Sequence, residues 1–258
     1  DGLELMFEAT PSDAEQTLRL RQQDVKQAWR IELNGTSLGQ LHRDENDMIV
    51  CFTVPPGTLS ETNTLTIDQQ VGGRAVPDDI RVGEIVLDPR PPSRALSEAT
   101  IDVTILDADT GRPMPARITV LNEQGALQSV QAAESPALAV RPGTVYAADG
   151  RAQFMLPEGK YTIHAGRGFE YSLATETVAV RDGETKRRKL TIRREVPTEG
   201  YIACDPRDRS EAVVPVTDCQ GRCVAVLDLD SHDVGAFDQG DLDGLRRVLA
   251  AADLGPSS

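Results

Sequence analysis

Short runs of alternating apolar and polar residues, separated by turn residues, constrain the fold of this chain more than any other feature. Residues 17–21, 29–33 and 101–105 show this period of two, which places every second side chain on one face of a β-strand. Asn34-Gly35 lies between two such runs and is typical of a two-residue hairpin turn, because both residues tolerate positive φ. Many short strands at regular spacing predict a mainly β fold.

A proline-rich segment at residues 89–93 divides this β-rich part of the chain. Because proline fixes φ and lacks an amide donor, the segment cannot continue a sheet. We therefore expect one β-sandwich at residues 1–90 and a second at residues 98–196. Within the second, residues 123–149 are rich in Ala, Ser and Gln, and we expect them to be loosely structured.

The sequence changes character after residue 200. Residues 213–216 and 223–229 are almost continuously apolar, which is typical of strands buried on both faces. Asp238 or Asp241 then suits the N-terminal end of a helix, where the helix dipole favours negative charge. An apolar stripe at helical spacing follows, formed by Leu242, Leu245, Val248 and Leu249. Residues 200–258 thus predict a hairpin followed by one helix.

The charge of the chain argues against some classes of partner. The 258 residues carry a formal net charge of −14. A phosphate backbone or an anionic membrane binds clusters of Lys and Arg, and this chain is acidic. We therefore expect neither nucleic acid nor a membrane as a partner. No run of about 18 apolar residues is present.

Different parts of the sequence suggest different cellular compartments. The first residue is Asp1 rather than Met, so we expect a processed chain or a piece of something longer. Four cysteines in this length are not a disulfide framework. The β-rich body suggests an exported protein whose signal peptide has been removed, whereas the last segment suggests a cytoplasmic one.

Motifs in the two predicted sandwiches carry a family resemblance. Trp29, Asn34-Gly35 and residues 78–83 resemble a galactose-binding-like jelly roll. Residues 109–113 and 156–161 are similar to carboxypeptidase-regulatory or transthyretin-like sandwiches. Taken together, residues 1–209 resemble the N-terminal accessory region of CehA/McbA-type metallohydrolases.

In that family the sandwiches lead into a metal-dependent hydrolase domain through a Cys-Asp-Thr-His-x-His segment. Two imidazoles one residue apart share a strand face and therefore a metal. Here Arg207 and Arg209 occupy those positions, and a guanidinium has no lone pair for a metal. The resemblance therefore implies a non-catalytic accessory region without metal or cofactor, with a carbohydrate or another small molecule as its ligand.

The last segment carries a second resemblance. Ile202-Ala203-Cys204-Asp205, Ser210-Glu211 and residues 226–231 occur in order and resemble the C-terminal part of a GAF domain, as found in free methionine-(R)-sulfoxide reductases. This similarity covers residues 200–254. It implies that Cys204 attacks the sulfoxide and that Glu211, Asp228 and Asp230 bind polar groups of the substrate. The sulfenic acid formed must be resolved by a thiol, so this alternative implies a thioredoxin-type reductant.

The departures from the reductase pattern are large. The upstream half, which supplies the resolving cysteines and one side of the pocket, is replaced by a sandwich, and Tyr201 stands where His is usual. Cys219 and Cys223 do not match the resolving positions. They flank a turn and either pair or remain two small apolar side chains. Because both resemblances include Cys204-Asp205, we interpret the junction as a fusion, natural or introduced when the sequence was assembled.

Other polar residues have ordinary interpretations. The three histidines, His42, His164 and His232, are scattered without metal-ligand spacing and are interpreted as strand or turn residues. Asp107 and Asp109 are interpreted as turn residues rather than as calcium ligands, because their spacing is not that of an EF-hand.

Overall fold

The computed structural model describes residues 2–69, 79–195, 210–217 and 223–251. The fold is mainly β, as the alternating pattern predicts. Contacts within the chain divide it into two compact units, Asp1–Glu195 and Val196–Ser258. Within the described ranges, no helix has the length and apolar character needed to cross a membrane.

The first half of the larger unit is a β-sandwich. Its strands are β1 (Leu3–Glu8), β2 (Gln16–Gln23), β3 (Trp29–Leu33), β4 (Thr36–Gln40), β5 (Met48–Val54), β6 (Thr62–Gln69) and β7 (Arg81–Asp88). One layer has the order β1-β6-β3-β4 and the other contains β5-β2-β7. Alternate side chains from both layers form a buried core that includes Leu20, Ile31, Val50, Leu65 and Ile67. The predicted hairpin turn is confirmed, since Asn34 and Gly35 have φ values of 51° and 77°.

The segment between the sandwiches is short and tethered. It contains a single turn of helix, α1 (Pro92–Ala95), which the sequence reasoning missed. The Thr17 hydroxyl donates to the Arg90 carbonyl at 2.8 Å, and the Arg90 guanidinium bridges Asp88 and Glu98. The other Glu98 oxygen accepts from the Glu158 amide at 2.8 Å. The segment is thus bonded to residues of both sandwiches.

A second sandwich follows, with a core of its own. Its strands are β8 (Ala99–Asp107), β9 (Ala116–Leu121), β10 (Leu127–Gln128), β11 (Leu138–Arg141), β12 (Thr144–Ala147), β13 (Arg151–Leu156), β14 (Gly159–Gly166), β15 (Ala174–Val180) and β16 (Thr185–Ile192). One layer is β13-β8-β16, and the facing layer contains β11, β12, β9, β14 and β15. The expectation of loose structure at residues 123–149 is wrong, because β10, β11 and β12 lie there. These strands are short and form by pairing with neighbours.

The two sandwiches share a sheet. Leu127 of β10 pairs with Leu121 of β9 on one side, and both residues of β10 run parallel to Met48 and Ile49 of β5 on the other. A nine-stranded sheet therefore supplies one layer to each core. The Ser129 hydroxyl reinforces the junction by donating to the Ile49 carbonyl at 2.7 Å. The domain bounds at residues 1–90 and 98–196 stay predictions.

The smaller unit is described as a hairpin and a helix, in agreement with the sequence. Strand β17 (Ser210–Thr217) pairs antiparallel with β18 (Cys223–Ser231), and α2 (Gln239–Ala251) contacts β17. Asp238 and Asp241 cap the helix reciprocally, each carboxylate accepting from the other residue's amide at 3.1 and 2.9 Å. Val213 and Val226 are 48% and 61% exposed, so the prediction of strands buried on both faces is wrong. The described helix covers one face of the hairpin.

Candidate functional site

The predicted reductase residues are described in part. Cys204 and Cys219 lie outside the described residues, as do Arg207 and Arg209. In the backbone register of the hairpin, Glu211 of β17 is opposite Asp230 of β18, and Val213 is opposite Asp228. Three of the four predicted site positions therefore fall on one hairpin, on two rungs that the Ala212–Leu229 pair separates.

Asp228 and Asp230 lie two residues apart on β18, so they share a strand face, and both side chains are exposed. Carboxylates at this spacing can hold the ammonium group of an amino acid. The attacking thiol carries the chemistry of a reductase, and the predicted attacking residue, Cys204, is not among the described residues.

No three His, Cys, Asp or Glu side chains of the described residues come together as possible metal ligands. The Asp107 carboxylate instead accepts from the Asp109 and Thr110 amides at 3.0 and 2.7 Å. The interpretation of Asp107 as a turn residue is confirmed.

The second sandwich carries a concave surface that the sequence reasoning did not single out. Alternation in β9 and β14 sends Ile118, Val120 and Ile163 into the core, so Arg117 and His164 face outward. Two cross-strand rows form on this outer face. One row is Ala139, Tyr146, Arg117 and Gly166, and the next is Arg141, Thr144, Thr119, His164 and Thr175.

Two adjacent depressions of about 370 and 350 Å³ lie over these rows and share Arg117 and Gly166. We call this surface the Arg117 groove. Its first part is lined on the sheet by Tyr146 and Ala139, and its second part is lined by Thr119, His164 and Leu173. The small side chain of Ala139 leaves room for a flat ring close to the backbone beside Tyr146, whereas the Leu173 side chain lies over Gly166.

The side chains of the Arg117 groove are open to a ligand. Tyr146 is 41% exposed and Leu173 is 65% exposed. His164 Nδ1 lies 2.8 Å from Thr175 Oγ1, and the direction of that hydrogen bond depends on the imidazole tautomer. Arg167 lies with its guanidinium carbon 5.5 Å from the centre of the Tyr171 ring, which keeps this second cation at the edge of the groove.

A further cavity of about 260 Å³ lies between the two sandwiches. Its charged lining residues include Asp88, Arg90 and Glu98, which already bind one another. Cys51 also lines it, and burial raises the pKa of this thiol to about 11. A satisfied ion network and a protonated thiol suit a structural junction better than a binding site.

The sequence pattern is sufficient to place some of the residues of the Arg117 groove and not others. Alternation at residues 117–120 and 161–164 is sufficient to place Arg117, Thr119 and His164 outward on neighbouring strands. Tyr146 was missed because β12 lies in the stretch expected to be loose, so no pattern placed this aromatic ring beside Arg117.

The fold defines a mainly β chain of the sandwich class, and no family model matches it. The chain is 41% identical over 49 residues to Protein ZMO0507 of Zymomonas mobilis, which is 19% of this chain and 30% of that protein. It is 40% identical over 52 residues to the free methionine-R-sulfoxide reductase of Escherichia coli K12, which is 20% of this chain and 31% of the reductase. The chain thus spans less than a third of either relative, and the second resemblance is supported only as a partial similarity.

Similar solved structures include two pilus proteins. The minor pilin GBS52 of Streptococcus agalactiae is 11% identical, with a TM-score of 0.33, over 74% of this chain and 88% of the pilin. The group B streptococcus pilus 2b backbone protein is 12% identical, with a TM-score of 0.29, over 75% of this chain and 92% of that chain. Scores this low carry no argument about function.

Proposed function

We propose that residues 1–195 form a non-catalytic ligand-binding region and that its ligand binds in the Arg117 groove. The observation that carries this proposal is the grouping, on one outer sheet face, of an exposed aromatic ring, an arginine and a row of hydroxyl and imidazole groups. Ligand sites commonly combine an apolar or aromatic surface with a few polar groups that fix orientation.

A carbohydrate fits this combination. The C–H bonds of a sugar ring carry slight positive charge and pack on the electron-rich face of an aromatic ring such as Tyr146. Hydroxyls on the same sugar need donors and acceptors, which Thr119 and the His164–Thr175 pair supply in the next row.

The same region is proposed to be the accessory part of a CehA/McbA-type metallohydrolase. The support is the resemblance of residues 1–209, with its jelly-roll-like and carboxypeptidase-regulatory-like or transthyretin-like motifs. Under this proposal the region positions a ligand and performs no hydrolysis, since Arg207 and Arg209 replace the two histidine ligands.

A glycan array followed by calorimetry tests the carbohydrate proposal. We expect binding that Tyr146→Ala weakens at least tenfold, because the ring loses its packing surface. Met6→Ala is the matched control, since Met6 is 71% exposed and lies on β1 of the other sandwich. Binding to no sugar at all contradicts the proposal.

A thiol-dependent reductase of free methionine-(R)-sulfoxide is the second candidate. The support is the 40% identity over 52 residues to the reductase of Escherichia coli. The Cys204 thiolate would take the sulfoxide oxygen, whose S–O bond breaks, and one proton from solvent would complete methionine and a Cys204 sulfenic acid. Two electrons from a thioredoxin-type dithiol would then restore the thiol and release water.

A single-turnover assay tests this second candidate. Reduced protein is mixed with free methionine sulfoxide, and methionine is measured without any recycling reductant. The reductase proposal expects up to one methionine per chain, lost in Cys204→Ser and retained in Cys51→Ser. Product equally low in all three proteins contradicts it.

A further inference from the structure

Resting on the proposed binding function, we propose that the Arg117 groove selects an acidic saccharide whose pyranose ring carries a carboxylate, as in a uronic acid. Three features of the groove support this ligand class. They are the lack of partners of the Arg117 guanidinium, the charge of the lining residues, and the order of side chains along one sheet row.

Arg117 is an unengaged cation. Several other arginines of the sandwiches hold carboxylates, as Arg21 does with Asp47 and Arg90 does with Asp88. Among the described residues, the Arg117 side chain has neither an ion-pair nor a hydrogen-bond partner, and it is exposed. Its five N–H donors are therefore available to a ligand, and a planar fork of this kind matches a carboxylate with two parallel hydrogen bonds.

The lining of the groove has a charge opposite to that of the chain. Of the residues that line the two depressions, Arg117 and Arg167 are cationic and none is Asp or Glu. The chain as a whole has 41 acidic residues against 27 Lys and Arg. A surface without carboxylates is thus a local exception in an acidic protein, and it removes the repulsion that an anionic ligand meets elsewhere.

The order of side chains along the row fits one ring with one acidic group. Tyr146 is directly opposite Arg117 on β9, and Gly166 is opposite Arg117 on the other side. Directly opposed Cβ atoms lie about 5 Å apart in an antiparallel pair, which is close to the width of a pyranose ring. A sugar packed on Tyr146 therefore directs a ring carboxylate to Arg117 from the β12 side, and the Leu173 side chain lies beside Gly166 on the other side.

Calorimetry with the full chain tests this selectivity. The probes are an oligogalacturonate and the same oligosaccharide as its methyl ester, which keeps the shape and removes the charge. We expect the acid to bind at least tenfold more tightly, and Arg117→Gln to abolish that difference. Arg151→Gln is the matched control, because Arg151 is an exposed arginine on β13 in the opposite layer of the same sandwich.

The outcomes separate the two proposals. Equal affinity for acid and ester, lost in Tyr146→Ala, overturns the acidic selectivity and keeps the carbohydrate function. No binding of either probe, or of any array sugar, by folded protein overturns both. A tenfold preference for the acid that persists in Arg117→Gln overturns the assignment to this arginine. Circular dichroism establishes that each variant is folded.

Discussion

Arg21 of β2 holds Asp47 at the junction of the two sandwiches. The Arg21 Nε atom donates to Asp47 Oδ1 at 2.7 Å, and a second guanidinium nitrogen binds the other carboxylate oxygen. The Asp47 backbone carbonyl accepts from the Leu127 amide at 2.8 Å. The ion pair therefore fixes the residue at which the parallel pairing of β5 and β10 begins.

Replacing Asp47 with Asn is expected to destabilise the larger unit in a pH-dependent way. Hydrogen bonding to Arg21 holds the pKa of Asp47 below its ordinary value. A lowered folded-state pKa contributes stability above the unfolded-state pKa, and this is lost as pH falls through the folded-state value. Both side chains are about one quarter exposed, so we expect about 1 kcal/mol at pH 7.

Urea unfolding of wild type and Asp47→Asn between pH 3 and pH 7 measures this effect. The difference in unfolding free energy should shrink toward zero below about pH 4. Asp109→Asn is the control, because Asp109 is exposed and has no ion pair within the described ranges. A difference that is independent of pH contradicts the assigned cause.

Gly143 is expected to resist substitution more than Gly125, a turn glycine without close neighbours. The φ of Gly143 is +67°, and an added Cβ would lie 2.5 Å from Leu127 Cβ. Gly143→Ala should therefore cost about 1–2 kcal/mol for the backbone conformation plus about 1–3 kcal/mol for the clash. Gly125→Ala is the control, since Gly125 has φ +82° but no atom within 4 Å of the added Cβ. Thermal unfolding giving equal losses in both variants would show that the close approach is unimportant.

Asn34 is expected to contribute through its side chain as well as its turn conformation. Its amide donates to the Thr58 carbonyl and to Asn63 Oδ1, and its oxygen accepts from the Thr64 amide, each at 2.8 Å. Asn34→Gly keeps the positive φ and removes these bonds, so we expect a loss of about 2 kcal/mol in denaturant unfolding. In the control Asp24→Gly, which has φ 61° and an exposed ion pair, we expect little change. Similar values for both variants would assign Asn34 a purely conformational role.

The Cys51 thiol is expected to react slowly in the folded protein. With its pKa raised to about 11 by burial, only about 0.1% is thiolate at pH 8. Alkylation by iodoacetamide, followed at the Cys51 peptide by mass spectrometry, should rise about tenfold per pH unit from pH 7 to pH 9.5. In unfolding concentrations of urea the rate should level off near pH 9. The same plateau in the folded protein would contradict the raised pKa.

Most strands follow from local sequence because one side of each is buried. The alternation at residues 29–33 and 101–105 corresponds to β3 and to the middle of β8, and it identifies the inward-facing residues correctly. Strands β11 and β12 lack such a signal. They exist because β12 pairs with β9 and β11 pairs with β12, a tertiary constraint that overrides weak local preference.

In the candidate site too, some positions follow from local sequence and others depend on tertiary pairing. Arg117 and His164 lie at outward positions of strands that the sequence predicts, so their placement is derivable. Their proximity to Tyr146 depends on the register between β9 and β12, which no local pattern encodes. In the hairpin, the apolar runs predict two strands correctly. A continuous apolar run does not show which face of a strand is buried, and the side chains of Val213 and Val226 are exposed.

The shared sheet also determines how the larger unit responds to tension. Only Leu127 and Gln128 pair β10 with β5, and β10 runs parallel to that strand. A pull along the strands loads these few hydrogen bonds in shear, together with the Ser129–Ile49 bond. Since these bonds are loaded at the same time, we expect them to share the load and to rupture together. The β5–β10 pairing should therefore give one distinct event in single-molecule extension.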